Sequence, residues 1–393
     1  MYPSDATHSP LTAGVTRRLR GLLEIGDLHA DVFAKIGASA TRNRNFMRCF
    51  SGPNVELAEH ASLDTTWHFF NDSQSADPFR RESRSAVEGW HVGRAVWGRP
   101  SPAVREVRDL DSRFAVVMYG TNDIELGRPH RYAQLMLQLI HALTVRGVIP
   151  VLSTIMPRDD DPEADRMVGL YNTVVRGIAQ SEQVPMVDLH RELARLPDHG
   201  LSRDGIHPNV YFQNGDPHGC NFSEAGLRHG YNLRNLLTLT ALDRLRRHVI
   251  LGEAAPEQAH PPPAGRGSLR DPILVDHLPF THASDSSRSP FRELDQYECG
   301  DQDESGPEVV YRLVLDEPAD IYAMTVYGSG VDVDLHVRSD GHCVARGNEH
   351  ISLTLEAGTH EFVVDTFSNR AGEPQGGPYL LVIGRTDRPS DPD

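Results

Sequence analysis

Several features that would define other classes of protein are scarce in this sequence. Lysine occurs once, at Lys35, so arginine supplies nearly all of the positive charge among the 393 residues. No stretch approaches the roughly 18 uninterrupted apolar residues of a membrane span, and we therefore expect none. The opening segment MYPSDATHSPLTAG lacks the basic and then apolar pattern of a signal peptide.

Positive charge is especially scarce in the second part of the chain. From residue 256 onward there are 25 acidic and 10 basic side chains, a net charge of −15, whereas the first 255 residues carry a net charge of −1. Because binding to nucleic-acid phosphates requires a basic surface, this acidic part argues against a nucleic-acid partner. The contrast in charge predicts two regions with different surfaces.

Cysteine is also rare, with two residues in each region: Cys49 and Cys220, then Cys299 and Cys343. No two of them have the C-x-x-C spacing that is typical of zinc ligands, so no zinc site is expected. The disulfides Cys49–Cys220 and Cys299–Cys343 are predicted for an exported protein. Four unpaired or buried thiols are the alternative.

Proline, alanine and glycine concentrate in one segment, EAAPEQAHPPPAGRGS at residues 253–268. This composition is typical of an extended linker, and the chain is long enough for two domains. We therefore predict an N-terminal extension at 1–27, a first domain at 28–252, a linker at 253–270 and a second domain at 271–388.

The first domain alternates apolar strands with amphipathic helices. The strands are predicted at 31–36, 113–120, 148–156 and 184–189, and two of the helices at 129–147 and 164–182. A long helix over 222–250, with Ser223 as its N-cap, closes the domain. This order indicates a parallel sheet covered by helices on both faces, a three-layer α/β/α arrangement.

The second domain changes to a period of two. In VDVDLHVRS, which begins at Val331, apolar residues alternate with charged ones such as Asp332 and Asp334. Further segments of this kind, separated by Gly, Asp and Ser turns, predict an all-β sandwich. We interpret the two aspartates as part of the polar outer face of a strand, with a calcium site as the alternative.

Polar residues suited to acyl transfer follow the strands of the first domain. Ser39 ends the first strand segment, Asn122 lies in GTND after the second, and Asp204 and His207 lie in SRDGIHPN before the closing helix. Ligands of parallel sheets bind beyond these strand ends. A carboxylate can orient an imidazole that deprotonates a hydroxyl. Between these segments, Gly93 in AVEGWHVGRAVWG offers a backbone N–H at close approach.

The Ser, Gly, Asn and His residues, in this order, resemble the SGNH (GDSL-type) hydrolase superfamily over almost the whole first domain. The resemblance implies a flavodoxin-like domain and a serine hydrolase that needs neither metal nor cofactor. It implies that Ser39 is the nucleophile, that His207 is the general base and then the general acid, and that Asp204 orients His207. The backbone N–H groups of Ser39 and Gly93 and the side-chain amide of Asn122 would form the oxyanion hole.

One position departs from the family pattern. The family usually has Gly-Asp-Ser at the nucleophile, whereas this sequence has Gly37-Ala38-Ser39. Ala38 lacks side-chain hydrogen bonds that would brace the loop. Because the base, the acid and the oxyanion donors are retained, we interpret the change as tolerated. A catalytically silent protein that binds glycans is the alternative.

We therefore expect a carboxylic ester hydrolase that acts through an acyl-enzyme on an ester substrate, with acetyl or another short acyl group on a carbohydrate as the first candidate. A lysophospholipase or other lipid esterase is the rival within this class. Trp90 and Trp97 flank Gly93 and can stack on sugar rings, although core packing is the more frequent role. Asp216 and His218 match the spacing of no standard metal site.

The second domain resembles the bacterial pre-peptidase C-terminal-like β-sandwich over about residues 290–385, through VDVDLHVRS and AGTHEFVVDT. This resemblance implies an accessory role in secreted enzymes, including contact with polysaccharide. Together with the cysteine pairs it favours a secreted or periplasmic location. A cytoplasmic location is the alternative, because the signal pattern is missing.

Overall fold

The computed structural model describes Tyr2 and residues 5–386, and the chain divides into two units between Ala259 and His260. This division falls inside the segment predicted as a linker, 253–270. Residues 1, 3 and 4 of the predicted extension and residues 387–388 of the predicted second domain lie outside the described residues.

The first unit is built on a sheet of four parallel strands in the order β1-β2-β3-β4. Their bounds are β1 His29–Gly37, β2 Ser112–Met118, β3 Ile149–Ser153 and β4 Met186–Val187. All residues of β2 are buried, as expected for a strand that is covered on both faces. The predicted α/β architecture with a parallel sheet is confirmed.

Helices and one small ribbon complete the first unit. The helices are α1 Ala13–Leu23, α2 Ser39–Arg42, α3 Asp64–Asn71, α4 Val92–Val96, α5 Pro102–Leu110, α6 Thr121–Ile124, α7 Pro129–Thr144, α8 Pro162–Glu182, α9 Leu189–Leu193 and α10 Gly230–Leu245. The ribbon pairs β5 Phe212–Gln213 with β6 Asp216–Pro217. Local sequence explains the start of α8, because the Asp161 side chain accepts from the N–H groups of Glu163 and Ala164 as an N-cap.

The closing helix begins later than predicted. Ser223 does not cap it, because its hydroxyl donates to Asn221 Oδ1 and accepts from the Gly226 N–H at 3.3 Å, at a short 3-10 turn. Helix α10 instead begins at Gly230, whose N–H donates to Asn209 Oδ1. A Cβ at Gly230 would lie 2.8 Å from Pro208 Cβ, so only glycine fits this start. The contact depends on a distant loop and is invisible in the local pattern.

Residues 5–27, predicted as an extension, contribute to the first unit. Leu19 and Leu22 of α1 are buried. The Ser9 N–H donates to Met186 O at 2.9 Å, and His8 forms an antiparallel bridge with Val187 of β4. The segment therefore covers the edge of the parallel sheet that β4 forms. Without it, this edge would present unpaired backbone groups.

The second unit contains two facing sheets, in the orders β13-β10-β15-β8 and β12-β11-β14-β9-β7. Their strands are β7 Ile273–Val275, β8 Phe280–Asp285, β9 Val309–Leu315, β10 Ala319–Tyr327, β11 Val333–Ser339, β12 His342–Gly347, β13 His350–Leu355, β14 Gly358–Thr366 and β15 Pro378–Arg385. Neighbours are antiparallel except β7 and β9. Phe280, Leu335 and Phe362 belong to the apolar core between them. The predicted β-sandwich is confirmed.

The outer face of β11 is not the polar surface that the alternation predicts. Asp334 is buried and accepts from Arg346 at 2.7 Å, and the buried His336 ring stacks on Tyr297 with 3.7 Å between ring centroids. Burial and the neighbouring Glu304 carboxylate raise the pKa of Asp334 to about 6. The segment that contains Tyr297 and Glu304 covers this face, so both faces of the strand are buried.

Within the described residues, no helix combines the length and the apolar character needed to cross a membrane.

Candidate active site

Ser39 is the first residue of α2, and Ala38 alone separates it from the carboxyl end of β1. The turn between them requires glycine at Gly37, because a Cβ there would lie 2.7 Å from Met118 O and 2.8 Å from Thr41 Cβ. The first N–H groups of a helix have no intrahelical acceptor. The backbone N–H of Ser39 is therefore in a position to donate to a negatively charged oxygen bound beside its side chain.

A buried arginine holds α2 in place. The Arg234 guanidinium, from α10, donates to Ala40 O at 2.7 Å and to Thr41 Oγ1 at 2.9 Å, and it lies 3.8 Å from the centroid of the Phe46 ring. Burial lowers the pKa of Arg234 to about 10, which leaves it charged at neutral pH. The Tyr231 hydroxyl also donates to Ala40 O. Neither residue was predicted to support the site, because the sequence pattern marks both only as parts of a closing helix.

Ser39, His207 and Asp204 form a continuous hydrogen-bonded chain. Ser39 Oγ lies 2.7 Å from His207 Nε2, and His207 Nδ1 lies 2.8 Å from Asp204 Oδ2. Burial raises the pKa of Asp204, but the hydrogen bonds from His207 and from the Ile206 N–H outweigh it, and the pKa lies below its ordinary value. Asp204 is therefore an ionised carboxylate that can stabilise a protonated imidazole.

The loop that carries Asp204 and His207 is shaped by its own backbone contacts. Asp204 Oδ1 accepts from the N–H groups of Ile206 at 3.1 Å and His207 at 3.0 Å, which closes an Asx turn. Gly205 has a φ of +68°, and a Cβ there would lie 2.6 Å from the backbone nitrogen of Asp160. The D-G-I-H sequence thus fixes the distance between the carboxylate and the imidazole.

Asn122 is the second residue of α6 and lines the same cleft as Ser39 and His207. Its Nδ2 donates one hydrogen bond to Trp90 O at 2.9 Å. An amide nitrogen has two donors, so a second N–H remains for a ligand. Arg158, which is buried, donates to Thr121 O at 3.0 Å and forms ion pairs with Glu125 and Asp160, and it thereby fixes the turn that carries Asn122.

Asp123 joins this turn to the segment that contains Gly93. Its carboxylate is 3% exposed and accepts from the Val92 N–H at 3.0 Å, at the start of α4. Burial raises the pKa of Asp123 to about 7. Gly93 is buried, and a Cβ there would lie 2.6 Å from the Trp97 ring. From the sequence, Asp123 was placed at the strand end beside Asn122 but was given no role, because it has no part in the family pattern that singles out Asn122.

The segment around Gly93 differs in detail from the prediction. Glu88 and Gly89 are the residues of this segment that line the cleft, whereas Gly93 lies behind them under Trp97. The prediction that Trp97 packs in the core is wrong, because this residue is 50% exposed. Trp90 is half-buried, and its carbonyl is the acceptor for Asn122.

The cleft around Ser39 has a volume of about 740 Å³. Amide and hydroxyl side chains dominate its walls: Asn43, Asn45, Thr121, Asn122, Ser202 and Asn209. Its apolar residues come mostly from one loop, at Ile206, Pro208, Val210 and Phe212. Phe212 is 58% exposed, so its ring stands at the edge of the cleft in contact with solvent.

The four cysteines are joined as two pairs in the structure. Cys49 is bonded to Cys220 and Cys299 to Cys343, with Cα–Cα distances of 5.5 and 5.6 Å. The former pair links the chain shortly after Ser39 to the loop that follows His207. Asp216 is exposed and His218 is half-buried, and neither belongs to a group of three metal-ligating side chains within the part of the chain that the structure describes.

Comparison with known families assigns the class of the protein. The model of the GDSL-like Lipase/Acylhydrolase family matches residues 53–211, a range that contains Gly93, Asn122 and His207 and begins after Ser39. Residues 53–211 are therefore similar to a GDSL-like lipase/acylhydrolase domain, and the protein is an ester hydrolase. A search of curated proteins finds no match.

Solved structures similar to this chain include two esterases. A mutant of an acetyl esterase with acetate is 15% identical with a TM-score of 0.37, over 54% of this chain and 98% of that one. A two-domain esterase active on acetylated mannans is 14% identical with a TM-score of 0.33, over 97% of this chain and 98% of that one. The pre-peptidase C-terminal domain of a collagenase from Bacillus anthracis is 15% identical with a TM-score of 0.20, over 32% of this chain and 99% of that one.

Proposed function

We propose that this ester hydrolase removes short acyl groups, acetyl foremost, from carbohydrate, with Ser39 as its nucleophile. The observation that carries the proposal is the hydrogen-bonded chain from Ser39 Oγ through His207 to Asp204 at the floor of a polar cleft. A hydroxyl, an imidazole and a carboxylate joined in this order are the groups that serine-dependent acyl transfer uses, which supports the proposal.

The reaction begins when Ser39 Oγ attacks the ester carbonyl carbon and its proton passes to His207 Nε2. The Asp204 carboxylate stabilises the imidazolium that forms. The negative charge on the former carbonyl oxygen accepts from the backbone N–H of Ser39 and from the amide of Asn122, whereas Gly93 lies outside the lining of the cleft and is not assigned a donor role. Removal of one such donor typically costs about 3–4 kcal/mol of transition-state stabilisation.

The intermediate then collapses with cleavage of the bond between the carbonyl carbon and the alcohol oxygen. His207 gives its proton to the leaving alcohol, and the acyl group remains on Ser39 Oγ. A water molecule follows the same path in reverse: His207 takes its proton, the hydroxide attacks the acyl carbon, and the carboxylic acid leaves as Ser39 recovers its proton.

The lining of the cleft favours carbohydrate over lipid as the alcohol. Asn43 and Asn45 present amides that can both donate to and accept from sugar hydroxyls, whereas the Asn209 amide is held by Leu201 O and the Gly230 N–H. The exposed ring of Phe212 offers an apolar face for a pyranose. A long acyl chain requires a continuous apolar groove, whereas the apolar residues here are confined mainly to one loop.

The test compares Ser39→Ala with Ser202→Ala, since Ser202 also lines the cleft but donates to Pro208 O. We expect wild type and Ser202→Ala to react with a fluorophosphonate probe and to hydrolyse p-nitrophenyl acetate. Ser39→Ala should not be labelled and should lose about 10³-fold or more of kcat. Equal labelling of Ser39→Ala would refute the role of this residue. A folded wild type that neither reacts nor turns over would refute the proposal, and a glycan array would then test the silent glycan-binding alternative.

The substrate class is tested with three esters: acetylated xylo-oligosaccharide, p-nitrophenyl palmitate and a lysophospholipid. We expect kcat/KM to be highest on the acetylated sugar. We also expect Phe212→Ala to raise KM on the sugar, with Val210→Ala as the matched control. A preference for the palmitate or the lysophospholipid would replace the proposal with a lipid esterase.

A further inference from the structure

A second cavity adjoins the cleft of Ser39. It has a volume of about 440 Å³ and shares Asn43 and Glu88 with the cleft. Six of its lining side chains are cationic, namely Lys35, Arg42, Arg44, Arg48, Arg80 and Arg81, and two are acidic, Glu82 and Glu88. The first unit as a whole is close to neutral, so this concentration of positive charge is local.

Lys35 is the single lysine of the sequence, and it lies in β1, only four positions before Ser39. It is 7% exposed, and its Nζ donates to Phe79 O at 2.8 Å. An ammonium group has three donors, and no other acceptor of Lys35 lies among the described residues. Burial lowers the pKa of Lys35 to about 8, so the group is mostly charged at neutral pH. The carboxylates of Asp77, Glu106 and Glu82 act on this cation, and its unused donors can bind a further anion in the cavity.

The arginines differ in how far the protein neutralises them. Arg81 is bound to the buried Glu106 at 2.9 Å, whereas the pairs Arg48–Glu82 at 3.5 Å and Arg42–Glu88 at 3.7 Å are exposed and loose. The guanidinium groups of Arg44 and Arg80 form no hydrogen bond or ion pair with any described residue. Excess positive charge therefore faces the cavity.

We propose that this cavity binds a sugar residue that bears an acidic group, a carboxylate, sulfate or phosphate, so that the enzyme acts on acylated anionic glycans. The inference rests on the proposed function of Ser39. The size of the cavity suits a monosaccharide rather than a lone ion, because ligand pockets begin at about 300 Å³. Guanidinium groups bind such oxyanions with two parallel hydrogen bonds. The shared wall at Asn43 lets one glycan reach both spaces.

The experiment measures kcat and KM on three acetylated oligosaccharides of similar length: a neutral xylo-oligosaccharide, an oligogalacturonide and a sulfated galactan fragment. Turnover of p-nitrophenyl acetate is the reference, because this small ester does not need the second cavity. We expect kcat/KM to be at least about tenfold higher on an anionic substrate, and this preference to shrink as salt is added. Comparison of kcat/KM on the oligogalacturonide and on the sulfated galactan fragment shows whether a carboxylate or a sulfate is the preferred anionic group.

The variant to compare is the double substitution Arg44→Gln/Arg80→Gln, with Arg131→Gln as control, since Arg131 is exposed on α7 and lines neither space. The double variant should raise KM on the anionic glycan to the neutral value, with kcat and p-nitrophenyl acetate turnover unchanged. A Lys35→Met variant whose thermal midpoint shows that it is folded should also raise KM on the anionic glycan.

Equal kcat/KM on neutral and anionic substrates, or a preference that survives the double variant, would overturn the inference. These outcomes are distinct from failure of the proposed function, in which wild type would not turn over p-nitrophenyl acetate at all.

Discussion

Ser39 Oγ and His207 Nε2 are 2.7 Å apart, although 168 positions separate the two residues in the sequence. Ser39 reaches this point from the end of β1, and His207 from a loop that is closed by Asp204 and rests on Asp160 through Gly205. A hydroxyl, an imidazole and a carboxylate in this order are what general-base catalysis of acyl transfer requires. The chemistry of the site therefore depends on how two separate loops are held.

Asp204 is expected to act through its charge as well as through its geometry. Asp204→Asn keeps an oxygen that can accept from the N–H groups of Ile206 and His207, but it removes the carboxylate that faces Nδ1. We expect a loss of about 10²- to 10⁴-fold in kcat with an unchanged thermal midpoint. Asp204→Ala should lose a similar amount of activity and also lower the midpoint, because the Asx turn is lost.

Steady-state kinetics and differential scanning calorimetry on both variants check this prediction. Activity of Asp204→Asn near that of wild type would mean that the aspartate serves only the turn.

Asn122 is expected to matter in the transition state rather than in substrate binding. Asn122→Ala removes the amide that would face the oxyanion, and its hydrogen bond to Trp90 O is outside the reacting centre. We expect kcat to fall by about 10²- to 10³-fold with little change in KM. Thr121→Ala, at the neighbouring residue of the cleft, is the control. A change in KM alone would assign Asn122 to substrate binding.

Asp123 is expected to make stability depend on pH. Its pKa is raised to about 7 in the folded protein by burial, whereas an unfolded aspartate has a pKa of about 3.9. Between these values the folded state retains a proton that the unfolded state releases, so the stabilisation is complete below pH 4 and is lost as pH rises towards 7. The expected loss is about 2–4 kcal/mol across this window.

Asp123→Asn removes this titration and keeps an oxygen for the Val92 N–H. The unfolding transition of the first unit, followed by calorimetry between pH 4 and 8, should therefore decline less with pH in Asp123→Asn than in wild type. Asp216→Asn, at an exposed position, should follow wild type. Parallel pH profiles for Asp123→Asn and wild type would contradict the assignment.

The disulfide between Cys49 and Cys220 is expected to stabilise the first unit strongly. It spans 171 residues, and closure of so long a loop in the unfolded chain is worth about 3–5 kcal/mol in the chain-entropy view. The double variant Cys49→Ser/Cys220→Ser should lower the first calorimetric transition and activity at elevated temperature. Cys299→Ser/Cys343→Ser should instead lower the transition of the second unit and leave hydrolysis unchanged.

A thiol titration of the unreduced protein in denaturant tests the pairing directly. We expect no free thiol, and four reactive thiols would show that the cysteines are unpaired.

Much of the fold was predictable because local sequence patterns, such as apolar runs, determine its strands and helices. The strand at 113–120 is a continuous apolar run, and β2 occupies Ser112–Met118. Ser39 and Asn122 follow such segments, which predicts that they meet at one edge of the sheet, whereas the place of His207 beside them was implied by the resemblance to the SGNH pattern. Parallel strands bring their carboxyl ends together, so sequence order translates into proximity.

The supporting residues were not predictable in this way. Arg234 contacts Ala40 from 194 positions away, and Asp123 contacts Val92 from 31 positions away. Such contacts join a side chain to a backbone atom of another element, so they leave no periodic signal in either segment. The burial of Asp334 was missed for the same reason, because a distant segment covers a face that alternation alone marks as polar.

The contact between Arg234 and Ala40 also bears on the order in which the protein becomes active during its synthesis. Chains emerge from the ribosome with their N-terminus first, so Ser39 appears long before the residues that support and activate it. Until α10 has been made, the carbonyl of Ala40 lacks the guanidinium that anchors it. If Ser39 has its proposed role, a nascent chain carries an unassembled nucleophile, and esterase activity first becomes available when nearly the whole of the first unit has left the ribosome.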